Sequence, residues 1–221
     1  MSVSFAVVLL AGGVFLALRL LEALSEYIAR KIREAGMTVT ESREPMAGYQ
    51  PTAGDLELAE RSRQLLDRHL PNGIQDLAAM NLTRRQKCIA ALSEDLCNLY
   101  DVEVGVLKFV SDRELKHAAG AYDDRARALL FNVDMLASSR PDLLWMMVDT
   151  VFHECRHALQ HAAISRSGYP YGSHEQRIDW AVNFLDGNYL TPDKDGFEAY
   201  RKQPVEFDAE NFARTVLRNF N

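Results

Sequence analysis

The sequence predicts an α+β fold in which a small sheet lies between helical segments. Apolar residues recur at helical spacing on both sides of a short stretch that alternates as strands do, and a long helical pattern follows that stretch. The 221 residues are 48% hydrophobic, which is sufficient for a closed core and excludes disorder of the whole chain. A surplus of acidic side chains, 31 against 25 basic ones, disfavours a nucleic-acid-binding protein.

The first residues form an uncharged apolar run from Val3 to Leu18, and basic residues follow it rather than precede it. As a helix this run would be roughly 24 Å long, slightly shorter than a bilayer core of about 30 Å. We expect a hydrophobic helix with a charged extension over residues 1–35. It would anchor the protein to a membrane through residues 3–24 and leave the rest of the chain in the cytoplasm. A helix packed in the fold or in an oligomer and a cleaved signal peptide are the alternatives.

Residues 36–54 have the Gly, Pro, Ser and Thr content of a linker, so the globular domain is expected over residues 55–221. Its first helix should run from Asp55 to Leu70, where Pro-Asn-Gly follows. A second helix should begin at a capping box over residues 83–86 and continue to Tyr100.

Three strands are expected next, over residues 102–110, 118–122 and 126–133. A long helix should then run from Pro141 to about residue 165, with proline at its first position and Ser138 or Ser139 as a cap. An irregular stretch and a last helix after Pro204 complete the predicted order.

The long helix contains the sequence His153-Glu154-Cys155-Arg156-His157, an HExxH motif. Residues four apart lie above one another on a helix, so both imidazoles can reach one metal ion. Glu154 would then lie beside the metal, where a carboxylate can take a proton from water. Because five letters alone arise by chance, the surroundings of the motif must support this interpretation.

The helical positions around the motif separate into two faces. The histidines share one side with a group of polar residues, namely Asp149, Thr150 and Gln160. The opposite side is apolar and consists of Leu144, Val148, Val151, Phe152, Cys155 and Leu159. We therefore expect the apolar face in the core and the histidine face in a cleft, with Cys155 as an inert core residue.

A metal site needs a third protein ligand. His161 is two turns from His153, roughly 12 Å along the axis, which excludes it as a partner of that histidine. The last helix offers Glu206, which falls inside an apolar stripe where an unpaired carboxylate would be costly. We expect Glu206 as the third ligand, with Glu210 and His174 as the alternatives.

The segment HECRHALQ, followed about fifty residues later by YRKQPVEFDAENFA, resembles gluzincin-type metallopeptidases with a short catalytic domain, and is most similar to ImmA/IrrE-like and phage-associated HExxH proteins. Residues 118–136 resemble the strand pair that precedes the active helix in those domains. The resemblance implies a zincin-like fold, Zn²⁺ held by His153, His157 and Glu206, and Glu154 as the catalytic base. Arg156 departs from the glycine usual in ImmA/IrrE motifs, and the glutamate lies farther downstream than usual.

The sequence thus predicts a zinc metallopeptidase acting on protein or peptide substrates. Tyr200 and His174 are candidates for stabilising the oxyanion, on their sequence proximity to the site alone. Two other classes stay open: a metal-binding sensor or scaffold without peptidase activity, and a membrane-anchored structural protein in which the motif is accidental.

Overall fold

The structure, a computed structural model, describes residues 45–115, 117–185 and 187–220. Its α+β architecture, helices around one small mixed sheet, confirms the predicted fold class. The predicted hydrophobic helix and the membrane-anchoring run of residues 3–24 lie outside the described residues. Within those residues, no helix has the length and apolarity needed to cross a bilayer.

The elements follow one another along the chain in three groups. The first helices are α1 (Ala53–His69), α2 (Ile74–Ala79) and α3 (Leu82–Tyr100). The strands are β1 (Val106–Val110), β2 (Gly120–Asp123) and β3 (Ala128–Asn132). The remaining helices are α4 (Val133–Ala137), α5 (Pro141–Ser165), α6 (His174–Asn183), α7 (Pro192–Asp195), α8 (Phe197–Lys202) and α9 (Pro204–Val216).

Helix α1 begins two residues earlier than predicted, because the capping box involves Thr52. The Thr52 hydroxyl accepts the backbone N–H of Asp55, and the Asp55 carboxylate accepts the N–H of Thr52. The preceding segment, within the range predicted as a linker, contacts α9: the Tyr49 ring meets Phe207 edge-on at 6.0 Å. The start of the globular region is therefore fixed by contacts of residues 45–55.

Helix α3 begins at Leu82, since Asn81 rather than Thr83 caps it. The Asn81 side chain accepts the N–H of Arg84 at 3.0 Å. The helix ends at Asp101, whose φ of 53° is left-handed, and the N–H of Val102 bonds back to the helix. This C-terminal turn is the reason that β1 starts four residues later than predicted.

The sheet has the strand order β1-β3-β2, with β1 parallel and β2 antiparallel to the central β3. Phe109 is level with Phe131 in the first pair, and Tyr122 with Leu129 in the second. Strand β3 is mostly buried, whereas β2 forms one edge of the sheet and lies against α5. The site described below lies along this edge.

Helix α5 has the predicted bounds, and its predicted apolar face is fully buried. Proline occupies its first turn as expected, but neither Ser138 nor Ser139 caps it: Arg140 is the N-cap residue and makes no side-chain cap bond. Helix α9 packs along α5 and also begins with proline, as predicted.

The sequence predicts an irregular stretch between α5 and α9. The structure instead has helices α7 and α8 there and, first and longest, α6. Ser173 and Gln176 form a capping box at its start. Trp180 on α6 is buried and fixes the helix against the core. The Gly- and Tyr-rich residues before it conceal this helix in the sequence pattern.

Candidate metal centre

Three side chains that the sequence predicts as ligands converge between α5 and α9. The Nε2 atoms of His153 and His157 are 3.0 Å apart. Glu206 places Oε2 3.2 Å from the first nitrogen and Oε1 3.4 Å from the second. Ligand atoms around a tetrahedral zinc ion with bonds of about 2.0–2.1 Å are about 3.4 Å apart, so the three residues fit such an ion. Among the described residues, these three form the group that could hold a metal ion, and it is called the metal-binding group below.

Two local features of the helices produce this convergence. His153 and His157 are one turn apart on the half-buried side of α5, whose other side is buried in the core. Glu206 lies in the first turn of α9, where Pro204 begins the helix. Ala209, one turn further, is fully buried, and its small side chain allows α9 to approach α5 closely.

The electrostatics of the group favour a cation. Burial raises the pKa of Glu206, but His157 and His153 outweigh this effect and hold that pKa well below its usual range. Burial lowers the pKa of His153, but Glu206 and Glu154 outweigh it and raise that pKa to about 10. The carboxylates therefore attract positive charge to the imidazole nitrogens, which a metal ion can supply instead of protons.

Glu154 lies next to this group on the wall of a cavity and is almost completely buried. Burial raises its pKa above the usual value, and the neighbouring histidines offset this effect only in part. The backbone of Tyr122 in β2 donates a hydrogen bond to its carboxylate. The edge strand thus fixes Glu154 beside the ligand atoms, within reach of a water molecule at the same site.

Gln160 holds one of the histidine ligands, a role that the sequence analysis did not assign. Its Oε1 lies 2.8 Å from Nδ1 of His157, so Nδ1 must carry the proton because an amide oxygen only accepts. The lone pair of His157 then remains on Nε2, toward Glu206. The Gln160 amide in turn donates to Asp208 at 2.8 Å and to the carbonyl of Val205 at 3.0 Å.

Arg156, the unusual residue of the motif, is completely buried on the other side of α5. Its guanidinium donates to Asp208 at 2.8 Å and to Asp55 of α1 at 2.6 Å. It lies 4.4 Å from the ring centroid of Phe212 and 5.3 Å from that of Trp180. The arginine therefore does not enter the metal site but ties α5 to α1, α6 and α9.

Two tyrosines that follow α6 in the chain contact the third ligand. Tyr189 donates its hydroxyl to Oε1 of Glu206 at 2.5 Å, and Tyr200 also hydrogen-bonds this carboxylate. Sequence proximity had suggested Tyr200, but nothing in the pattern indicated Tyr189. His174, in contrast, is exposed at the start of α6 and does not line the cavity.

Glu210, the alternative third ligand, points to two arginines instead of the histidines. Its carboxylate accepts hydrogen bonds from Arg201 at 2.8 Å and from Arg214 at 2.6 Å. It is therefore committed to ion pairs one turn after Glu206.

A cavity of about 720 Å³ opens beside the metal-binding group. Its walls are the polar face of α5, the residues before and at the start of β2, and α8. Gly120 of β2 lies so close to α5 that a Cβ atom there would meet Thr150 at 2.6 Å. The edge strand and the α5 face therefore form one continuous cleft.

Comparisons of the chain with protein-family models, characterised proteins and solved structures gave no match. The functional argument therefore depends on the geometry of this site.

Proposed function

We propose that this protein is a zinc-dependent metallopeptidase with a zincin-like domain, which hydrolyses peptide bonds. The observation that carries the proposal is the joint position of four side chains: two histidines and Glu206 meet at one point, and Glu154 lies beside it in a cavity. Anchoring to a membrane through residues 3–24, with this domain in the cytoplasm, is part of the same proposal.

The donor set supports zinc. Two imidazoles and one carboxylate leave a fourth tetrahedral position for water or substrate, which is the arrangement of catalytic rather than structural zinc sites. Hydrogen bonds from His157 to Gln160 and from Tyr189 to Glu206 orient the ligands, as such sites require.

In this function the chain supplies the proton transfers and the orientation. When bound, zinc supplies the Lewis acidity that polarises a peptide carbonyl and makes a water more acidic. The Glu154 carboxylate accepts a proton from the attacking water and delivers it to the nitrogen of the leaving amine. Tyr200 lines the cavity, and donation to the carbonyl oxygen requires its hydroxyl to turn from Glu206 to the substrate.

The edge strand supports a polypeptide substrate. Strand β2 pairs with β3 on one side only, and its first residue, Gly120, lines the cleft beside α5. An extended peptide can pair with such an edge through backbone hydrogen bonds, largely independent of its side chains. That pairing would hold a peptide bond next to Glu154, because Gly120 and Glu154 line the same cavity.

The test combines zinc content and proteolysis of the full chain in detergent. The wild type should bind about one zinc ion per chain and cleave denatured casein. His153→Ala should lose zinc and activity, whereas Glu154→Gln should keep zinc and lose activity. His161→Ala, a histidine of the same helix outside the ligand group, is the matched control and should keep zinc.

Two results would contradict the proposal in different ways. A wild type that binds zinc but cleaves no peptide bond would favour the alternative, a metal-binding sensor or scaffold. A wild type that binds no zinc would exclude both the peptidase and the metal-binding sensor or scaffold. The HExxH motif would then be accidental.

A further inference from the structure

The cavity beside the metal-binding group contains a carboxylate that the proposed mechanism does not use. Asp149 lies on α5 one turn before His153 and lines the cavity wall. Among the described residues it has no hydrogen-bond donor and no ion-pair partner. A largely desolvated carboxylate without such a partner is costly, so a ligand that brings a cation to this position would be favoured.

The charges around Asp149 offset each other only in part: His153 and Arg214 favour its charged form, whereas Glu210 and Glu154 disfavour it. Six carboxylates and one arginine line the wall, so the wall stays negative even next to a divalent ion. The arginine, Arg201, already pairs with Glu210, and His117 pairs with Asp112. Glu206 is a proposed metal ligand, Glu154 is the proposed base and Asp134 is exposed at the rim, so Asp149 is the carboxylate of the inner wall left for a ligand.

The remaining wall has the chemistry to hold the stem of a long side chain. Leu143 and Met146 precede Asp149 on the same helix, and the rings of Phe197 and Tyr200 contribute from the far wall. Aliphatic stems of arginine and lysine pack on such apolar surfaces, and aromatic faces attract their cationic ends. The volume of about 720 Å³ is ample for one such side chain.

We propose that this part of the cavity is a substrate subsite that takes an arginine or lysine side chain and that Asp149 determines this specificity. The inference rests on the proposed peptidase function and names its substrate class: polypeptides with a basic residue at one fixed position from the cleaved bond. The cation of that residue pairs with Asp149, while its backbone lies along β2.

Cleavage sites provide the first test. The zinc-loaded full chain in detergent is incubated with denatured casein, and the cut sites are read by mass spectrometry. Arginine and lysine should be enriched at one position in the wild type. Asp149→Asn should remove the enrichment, and Asp149→Lys should shift it to aspartate and glutamate. Asp134→Asn, which changes an exposed carboxylate at the cavity rim, should keep the basic preference.

Peptide binding provides a second test that does not depend on turnover. Fluorescence anisotropy compares two labelled peptides that differ only by arginine and citrulline at the preferred position. The zinc-loaded wild type should bind the arginine peptide roughly 10- to 100-fold more tightly, and Asp149→Asn should abolish this ratio.

The outcomes separate the two proposals. Cleavage without a basic preference, or a preference that Asp149→Asn leaves unchanged, overturns the subsite alone. If Asp149→Asn lost zinc while its remaining cleavage still preferred basic residues, Asp149 would instead be a residue that positions His153. This result would also overturn the subsite proposal. Absence of both cleavage and peptide binding in the zinc-loaded wild type overturns the peptidase function and the subsite together.

Discussion

Gln160 acts on the metal-binding group through the tautomer of His157. The pair at 2.8 Å keeps a proton on Nδ1, so that Nε2 is the nitrogen that can bind a metal. Gln160 is itself fixed by Asp208 and by a backbone carbonyl of α9. Two polar side chains and a backbone carbonyl therefore determine the orientation of one ligand.

Replacing this support should weaken metal binding without removing a ligand. We expect Gln160→Leu to lower zinc affinity roughly 10- to 100-fold, which is the usual effect of losing an outer hydrogen bond to a ligand histidine. Competition with a chromophoric chelator measures the affinity. The control is Gln64→Leu on the exposed face of α1. Equal affinity of the Gln160 variant and the wild type would show that the helix alone orients His157.

At the scale of the elements, strand β2 packs closely against helix α5 at Gly120. A Cβ atom at Gly120 would lie 2.6 Å from Thr150 Cγ2 and 2.9 Å from the carbonyl of Leu130. Both distances are shorter than van der Waals contact allows, so the strand can approach the helix only with glycine here. The closeness places Tyr122 against Glu154 and forms the wall of the cavity.

Gly120→Ala should therefore displace the edge strand. We expect a loss of about 1–3 kcal/mol of unfolding free energy, typical of inserting a methyl group into a packed interface. Gly105→Ala is the matched control, since its nearest neighbours would be 3.9 Å away. Urea denaturation of the two variants measures the difference. Equal stabilities would mean that β2 moves away from α5 at little cost.

For the molecule as a whole, the sequence predicts the features that depend on helical periodicity. It does not predict which side chains pair between distant parts of the chain. The bounds and buried face of α5 follow from its apolar spacing, and the position of Glu206 on an apolar stripe marks it as special. Asp208 is also buried, although the same pattern turns it away from the histidines. Its partners, Arg156 and Gln160, are about fifty residues away in sequence, and no local signal connects them.

The buried arginine is one such tertiary effect. Arg156 joins carboxylates of α1 and α9 inside the core, so its replacement leaves two buried charges without their partner. We expect Arg156→Leu to lower the unfolding free energy by about 3–5 kcal/mol. Arg166→Leu, at the exposed end of the same helix, breaks a surface pair with Asp101 and should cost less than about 1 kcal/mol. Calorimetry or urea denaturation measures the loss of unfolding free energy in each variant. Similar losses in the two variants would exclude a structural role for the buried ion pairs of Arg156.

The same network predicts how stability depends on pH. Burial raises the pKa of Asp55, but Arg156, Thr52 and Gln176 outweigh this effect and lower it below its usual value. A carboxyl whose folded-state pKa is depressed stabilises the fold above its unfolded pKa of about 3.9. That contribution is lost as the pH falls through the folded-state pKa.

Asp55→Asn should therefore be less stable than the wild type at neutral pH, by up to about 3–5 kcal/mol, because it removes one partner of a buried ion pair. Below about pH 4 the gap between the two proteins should narrow, since the wild type then loses the charge that the variant lacks. Urea denaturation between pH 7 and pH 3 in EDTA measures this without a contribution from bound metal. Asp67→Asn, on the exposed face of the same helix, is the control and should stay within about 1 kcal/mol of the wild type throughout. A gap for Asp55→Asn that is constant over this range would show that Asp55 acts through packing and capping rather than through its charge.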